Sequence, residues 1–452
     1  MRDPFKTFLR GPLRLFVHTA GTRLLGLASS ALLVVLLSRG LDPAQYGIYA
    51  LFTTTYIFGT LVLGLGLSNN LTSLVPGRDD ETAERLLATF FVSEVVVGGV
   101  LLALSFTLGL DRRLAAALDV GPYLPALRLV LLLTWVDLGA GSCLNYLLAR
   151  KRFGTANILT LLRASLLAPS LAAVWLWRGS LGLTTLAAVW LAGAIVALLF
   201  GVVATGLPRA LRRGLQLSAL RAAIPFGMML AAQSMTFYFL KLADRYFLAR
   251  YVDLVQVGIY SFAYTVSNIG YSLTALVLVG LFQPLVVEAH NRGDRLRRDE
   301  LLAQLTRTSI AMVILGALVM ALIARHLLFF ARPEYVASAP AIPWLLVCVL
   351  PVVAAYPATI VLMLERKLWA SIVGGFAATA VAAALDFALI PRLSYYGALI
   401  ASFVGFSVLA SVQHQVAGTW RFLSLGHFRK LPADVAALLG RAQARTTSIT
   451  RS

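Results

Sequence analysis

From residue 15 to residue 418 the chain is a succession of apolar runs, each separated from the next by a short charged or Pro/Gly-containing break. Each run reaches roughly 20 residues, enough to cross the hydrocarbon core of a bilayer as a helix. Barrel strands are excluded, because the runs are too long and do not alternate polar with apolar residues. Charged residues make up only 13% of the chain, about half the share found in soluble domains. The expected fold class is an all-α polytopic membrane protein.

The breaks predict twelve helices, at 15–38, 47–72, 86–109, 123–147, 155–177, 183–206, 222–249, 257–287, 301–324, 338–362, 368–390 and 396–418. The loops between them are too short for a soluble catalytic or nucleotide-binding domain. The chain also lacks G-x-x-x-x-G-K-[ST], H-E-x-x-H and C-x-x-C motifs, so neither an enzyme, a metal site nor a cofactor is expected. Cys143 and Cys348 both fall inside apolar runs and read as packing residues. The cluster "RDDE" at 78–81 reads as a solvated turn.

A net charge of +19 would suit nucleic acid if it were concentrated in one domain, but it is spread over short loops. With the N-terminus inside, cytoplasmic segments hold 25 of the 39 Lys and Arg, the opposite side holds 8, and 6 remain within spans. That bias is the one that orients membrane helices. It predicts an inner-membrane protein with both termini cytoplasmic and no nucleic-acid partner. The basic N-terminal segment runs into a long apolar stretch with no short core and small-residue cleavage site, so it reads as a retained first span.

Two stretches say nearly the same thing. "RGLDPAQYGIY" at 39–49 and "RYVDLVQVGIY" at 250–260 share six of eleven residues at an offset of 211. The first joins predicted helices one and two, the second seven and eight. Six spans between equivalent points mean that the halves enter the membrane in the same direction, as in a parallel repeat about an axis along the membrane normal. The expected division is an N-terminal lobe at 1–206, a cytoplasmic linker at 207–221, a C-terminal lobe at 222–418 and a basic tail at 419–452.

Ionisable residues inside a span are costly and therefore candidates for function. In the first helix, Thr19, Arg23, Gly26 and Ser30 share one face, and Arg23 either lines a water-filled cavity or snorkels to the interface. In the fourth, Thr134, Asp137, Gly141 and Asn145 share a face; Arg163 in the fifth lies at similar depth, so Asp137–Arg163 is either an ion pair or part of a cavity. The seventh carries Gln233, Lys241, Asp244 and Arg245, and the eighth carries Ser261, Tyr264, Thr265, Asn268 and Ser272. Glu94 stands alone in the third. Arg128, Arg307 and Asp386 lie near span ends and read as interface anchors. The deep set contains more cations than anions, and a cavity lined by it would attract a phosphate, to which Arg donates bidentately. Arg23, Thr19, Ser30, Arg163, Gln233, Lys241, Arg245 and Asn268 are thus the candidate substrate-binding residues. Glu94, Asp137 and Asp244 are the candidate ion-coupling residues.

The phrases "LLSRGLDPAQYGIYALF", "LGLGLSNNL", "IPFGM", "LADRYFLARYVDLVQVGIYSFAY" and "LIPRLSYYGALIAS" resemble the Wzx-like polysaccharide-export flippases of the multidrug/oligosaccharidyl-lipid/polysaccharide superfamily. The resemblance covers roughly 15–418. It implies two six-helix lobes, a cationic central cavity lined by helices one, two, seven and eight, and export by alternating access. It also implies an undecaprenyl-pyrophosphate-linked oligosaccharide as the substrate, with membrane lipids, a glycan polymerase and glycosyltransferases as partners. Arg23 and the Asp244–Arg245 pair match basic and "Asp-Arg" positions of that family, whereas Asp386 departs from the Asn expected there. The alternatives from the residues themselves are a multidrug extruder, which would want an acidic cavity, and a polytopic glycan polymerase or ligase, which would want a large outer loop.

Overall fold

The computed structural model describes residues 4–367, 369–424, 428–429 and 431–432, with side chains from residue 21 onward except those of 23, 270 and 273–281. Twelve long helices account for most of these: α1 Pro4–Gly40, α2 Pro43–Gly64, α3 Asp80–Thr107, α4 Leu124–Ala149, α5 Phe153–Arg178, α6 Leu183–Thr205, α7 Leu217–Leu242, α8 Leu254–Asn291, α9 Arg295–Leu327, α10 Ala341–Leu364, α11 Trp369–Leu393 and α12 Tyr395–Ala417. Among the described residues, ten are long and apolar enough throughout to cross a membrane, and α1 adds the apolar segment Leu24–Gly40. The protein is a multi-pass membrane protein, and large apolar side chains such as Leu176, Val203 and Leu322 face outward, as a lipid solvent requires.

The chain forms two compact units. The first comprises Met1–Tyr238, Arg245–Ser261 and Phe330–Glu334, the second Phe239–Asp244, Phe262–Phe329 and Tyr335–Ser452. In the first, Leu71, Leu87, Phe90 and Ala210 form one buried cluster and Cys143, Leu147, Leu159 and Ala197 another. In the second, Phe282, Val286, Leu302 and Leu305 do the same. Both cysteines are free and buried, as their apolar surroundings suggested. The 207–221 linker contains a short helix, Leu207–Arg212, before α7 begins. Most of the 419–452 tail lies outside the described residues.

The repeated motif has a structural meaning in each of its positions. Asp42 caps α2, accepting the Gln45 N–H at 2.8 Å while the Gln45 side chain returns to the Asp42 N–H at 3.3 Å. Asp253 likewise accepts the Gln256 N–H at 2.7 Å at the start of α8. The shared Asp and Gln are therefore helix starts. The shared glycine is a contact. A Cβ on Gly47 would overlap the Leu254 carbonyl oxygen, and one on Gly258 the Pro43 carbonyl oxygen. Pro43 and Leu254, like Gly47 and Gly258, are equivalent under the 211-residue offset, so the contact is reciprocal, as a two-fold relation between repeats demands. Lacking side chains, the glycines let the two helix backbones touch, as small residues do between membrane helices.

Two helices differ from their predicted forms. The second predicted helix runs to 72, but α2 stops at Gly64 because Leu65 and Gly66 both take left-handed backbone, φ 48° and 65°. A short 3₁₀ turn, Leu67–Asn70, follows. At Gly66 a side chain would also strike the Gly227 carbonyl of α7, so the break needs glycine twice over. The seventh predicted helix, 222–249, is likewise divided, between Leu242 and Asp244. In α5 a break at Leu166 has a legible cause. Pro169 cannot donate to the Ser165 carbonyl, and the Ser29 hydroxyl of α1 donates to it at 3.1 Å instead.

The "RDDE" turn is structural. Asp79 caps α3, and the Thr82 backbone N–H that it accepts holds its carboxyl below the ordinary carboxylate range. Arg150 pairs with Asp80, and Arg213 with Glu84 at 2.9 Å.

Candidate functional site

The break in α2 is what makes room for a site. Within the first unit, a polar cavity of about 380 Å³ opens between the end of α2, the 3₁₀ turn, α3, α4, α5 and α7. Its lining includes Tyr56 and Thr60 of α2, Ser68 and Asn69 of the turn, Glu94 of α3, Asp137, Gly141 and Asn145 of α4, Arg163 of α5, and Ser234 and Tyr238 of α7. The polar stripe read on the fourth helix is thus the wall of a cavity, apart from Thr134, which is fully buried beside Gly59.

Asp137 and Arg163 form the ion pair that was one of the two readings. Arg163 donates through Nε to Oδ1 at 2.9 Å and through Nη2 to Oδ2 at 2.6 Å. The Tyr56 hydroxyl adds a third donor to Oδ2 at 2.6 Å. Arg163 reaches Asp137 past Gly141, whose missing side chain would lie 3.9 Å from Nη2. The ring of Tyr56 lies 5.0 Å from that of Trp190. Both oxygens of Asp137 are occupied, and the guanidinium is neutralised by the carboxylate it grips. Arg163 therefore adds no net positive charge to the cavity beside its partner.

Glu94 is not isolated either. It is 2% exposed, and it ties the broken end of α2 to α4. Oε1 accepts the Ser68 backbone N–H at 2.7 Å and Oε2 accepts the Ser142 hydroxyl at 2.5 Å. Asn145 reaches the same turn, donating to the Ser68 hydroxyl and to Asn69 Oδ1, each at 3.3 Å. A buried N–H freed by the helix break needs such an acceptor. Glu94→Gln keeps only one accepting oxygen, so one of the two donors is orphaned. A loss of about 1–3 kcal/mol is expected, measurable as a lower unfolding temperature in detergent.

The remaining candidates fall elsewhere. The side chains of Thr19 and Arg23 lie outside the described residues. Ser30 is exposed and bonds back to the Gly26 carbonyl at 2.9 Å. Gln233 is half-buried but does not line the cavity, where Ser234 and Tyr238 represent α7. Arg245 is buried in the first unit, donating to the Thr54 hydroxyl at 3.2 Å. In the second unit, the Lys241 ammonium sits 5.5 Å from the centre of the Tyr271 ring, Asn268 is half-buried, and Asp244 is buried and interacts electrostatically with Asp386. Two anchor assignments are overturned by burial. Arg307 and Asp386 are only 2% and 4% exposed, because the polar stretch 304–309 of α9 and the middle of α11 are packed against other helices. Arg128, 42% exposed in its side chain and paired with Asp111 at 2.7 Å, fits an anchor. Among the described residues no group of three His, Cys, Asp or Glu side chains could hold a metal ion.

Tyr56, Ser68 and Ser142 were not singled out in the sequence. Tyr56 sits in an apolar run with no neighbouring charge, and Ser68 becomes a ligand through its backbone, which no sequence pattern marks.

The family described as "Polysaccharide biosynthesis protein" matches residues 36–331, well over half of the chain and all of the cavity lining. The chain belongs to this family. No curated protein matches it. Among solved structures it is similar to an inward-facing multidrug resistance MATE family transporter of the MOP superfamily, with 15% identity over 89% of this chain and 94% of that one and a TM-score of 0.72. It is also similar to the lipid II flippase MurJ in an inward closed conformation, with 12% identity over 96% and 93% of the two chains and a TM-score of 0.72. A third likeness is to an outward-facing MATE transporter, with 14% identity and a TM-score of 0.61 over 91% of this chain and 96% of that one. At such identities the likeness establishes the fold alone, one shared with these MATE transporters and MurJ.

Proposed function

We propose that this member of the polysaccharide biosynthesis family moves a polyprenyl-pyrophosphate-linked oligosaccharide across the cytoplasmic membrane by alternating access between lobes 1–206 and 222–418. The observation that carries the reading is the cavity inside the helical first unit. Most of its polar lining is neutral, with hydroxyls from Tyr56, Thr60, Ser68, Ser234 and Tyr238 and amides from Asn69 and Asn145. Such groups exchange hydrogen bonds with sugar hydroxyls at little desolvation cost, and aromatic rings supply apolar faces. MurJ, described as a lipid II flippase, has the same fold.

The pyrophosphate needs a cation on its path, and Arg23 in α1 is the proposed one. Lys offers a point charge where Arg offers two parallel donors. In a strain whose surface glycan depends on this protein, Arg23→Lys is expected to be partly active. Arg23→Gln and Arg23→Glu are expected to be near null at normal abundance, with lipid-linked glycan accumulating on the cytoplasmic face. Normal surface glycan with Arg23→Gln would remove this residue from the pathway.

Glu94, a carboxylate in the lining beside the mutually neutralised Asp137–Arg163 pair, favours a second reading, a multidrug extruder of cations. Accumulation of lipid-linked glycan in the deletion strain, with unchanged sensitivity to cationic dyes, separates the first reading from the second. Orientation is tested independently. Ala116→Cys and Ser180→Cys should react with an impermeant thiol reagent in intact cells and Gly214→Cys should not; labelling at 214 would invert the topology.

A further inference from the structure

A second cavity of the first unit, about 480 Å³, opens where the turn after α2, the start of α3 and the start of α7 meet. One part of its wall is apolar, with Leu74, Leu86 and Phe226; another is polar, with Arg78, Thr82 and Gln216. No carboxylate lines it. Of the acids nearby, Asp79 caps α3, Asp80 pairs with Arg150 and Glu84 with Arg213, while Glu81 is exposed to solvent and does not line the cavity. Among the described residues, the Arg78 guanidinium and the Gln216 side-chain amide make no hydrogen bond or ion pair with protein. Gln216 is nonetheless held in place, because its backbone N–H donates to the Thr89 hydroxyl of α3 at 2.7 Å.

The linker that leads into the cavity wall at Gln216 has the composition of a segment at headgroup level. The basic linker presents exposed Arg209 and Arg212 beside Leu211, Leu215 and Leu217, which are 43%, 40% and 64% exposed. Alternating cations and bare leucines suit the boundary between anionic headgroups and acyl chains. A guanidinium and an amide lining a partly apolar pocket that holds no carboxylate suit one ligand group, an oxyanion attached to a hydrocarbon tail. The geometry points to this cavity as a binding site for an anionic phospholipid, its phosphodiester on Arg78 and Gln216 and its first acyl carbons against Leu74, Leu86 and Phe226. The cavity has room for a glycerophosphate and several methylenes. Bound there, the lipid fastens the linker to the end of the first unit. The assignment does not depend on the proposed transport activity; it borrows from the charge bias only the leaflet.

The test is titration of the purified full chain with dioleoylphosphatidylglycerol or dioleoylphosphatidylcholine, read by native mass spectrometry, with a melting curve for each variant. The wild-type protein is expected to hold one phosphatidylglycerol in preference to phosphatidylcholine. Arg78→Glu should weaken that binding about tenfold or more, since a charge-assisted hydrogen bond is lost and repulsion gained. Ala222→Trp, which keeps Arg78 but fills the cavity that Ala222 also lines, should weaken it as well. Arg212→Glu, the same charge change outside the cavity, should leave it unchanged. Equal binding by Arg78→Glu would overturn the site. Equal loss with Arg212→Glu would reduce it to diffuse attraction, and displacement of the phospholipid by equimolar polyprenyl pyrophosphate would give the cavity to the carrier lipid instead. None of these outcomes is read from glycan export, so a failure here stays separate from a failure of the flippase reading.

Discussion

Gly258→Val is expected to remove nearly all folded protein from the membrane, and with it surface glycan, whereas Gly154→Ala should be silent. Both are single glycine substitutions in helices without positive φ, and they differ in what the new carbon meets. At Gly154 there is open space within 4 Å, and alanine in a helix is favoured over glycine by about 1 kcal/mol. At Gly258 the new carbon would overlap the Pro43 carbonyl oxygen and press on the Gly47 backbone. A backbone atom cannot rotate away as a side chain can, so α2 and α8 must separate at their starts. That shift undoes packing along both, and the cost should exceed the about 1–3 kcal/mol usual for overpacked cores. Reciprocity sharpens the test. Gly47→Val presses on Leu254 and Gly258 in the same way, so the two variants should fail alike, and the double variant should be little worse than either. Fluorescence-detected size-exclusion of tagged protein reads the amount, and normal yields of Gly258→Val would mean that the two helix starts do not touch in the membrane.

The reason this contact was only half legible in the sequence is instructive. The repeat at 39–49 and 250–260 announced two equivalent places in the fold, and the Asp-x-x-Gln spacing is a helix-start signal that could have been read there. What the repeat could not say is that its copies meet each other, since identity at an offset is equally consistent with two separate sites. Helix existence was visible because roughly 20 apolar residues have one stable form in lipid. The helix interruptions were not, because Leu65 looks like any other leucine and nothing in its residue type marks the left-handed backbone that it takes beside Gly66. The site suffered from the same gap. Asp137, Arg163, Glu94, Gly141 and Asn145 were found because charge and amide are rare in spans, but equal depth alone left open whether Arg163 pairs with Asp137 or faces a ligand. Arg307 and Asp386 were placed at the interface because sequence position measures distance from a helix end and not depth of packing.

The ion pair itself supports the second large effect. Arg163→Ala leaves Asp137, 7% exposed in its side chain, with a buried carboxylate and only the Tyr56 hydroxyl to satisfy it. Removing one partner of a buried pair costs about 3–5 kcal/mol; Asp137→Ala should cost less, because the Arg163 side chain is 26% exposed and still opens onto the polar cavity. Tyr56→Phe removes one neutral donor and should cost about 1 kcal/mol. Replacing both charges by apolar groups of similar size carries no such penalty, because the desolvation of two ions is removed together with their attraction. Asp137→Leu combined with Arg163→Met is therefore expected to recover the folded amount that either alanine variant loses. It should also recover export, since three donors leave Asp137 no free oxygen with which to take up a coupling ion. The measurement is membrane abundance and surface glycan for the two single variants and the double. A double variant that folds normally but exports nothing would return Asp137 and Arg163 to the transport pathway and make their pairing one state of a working site.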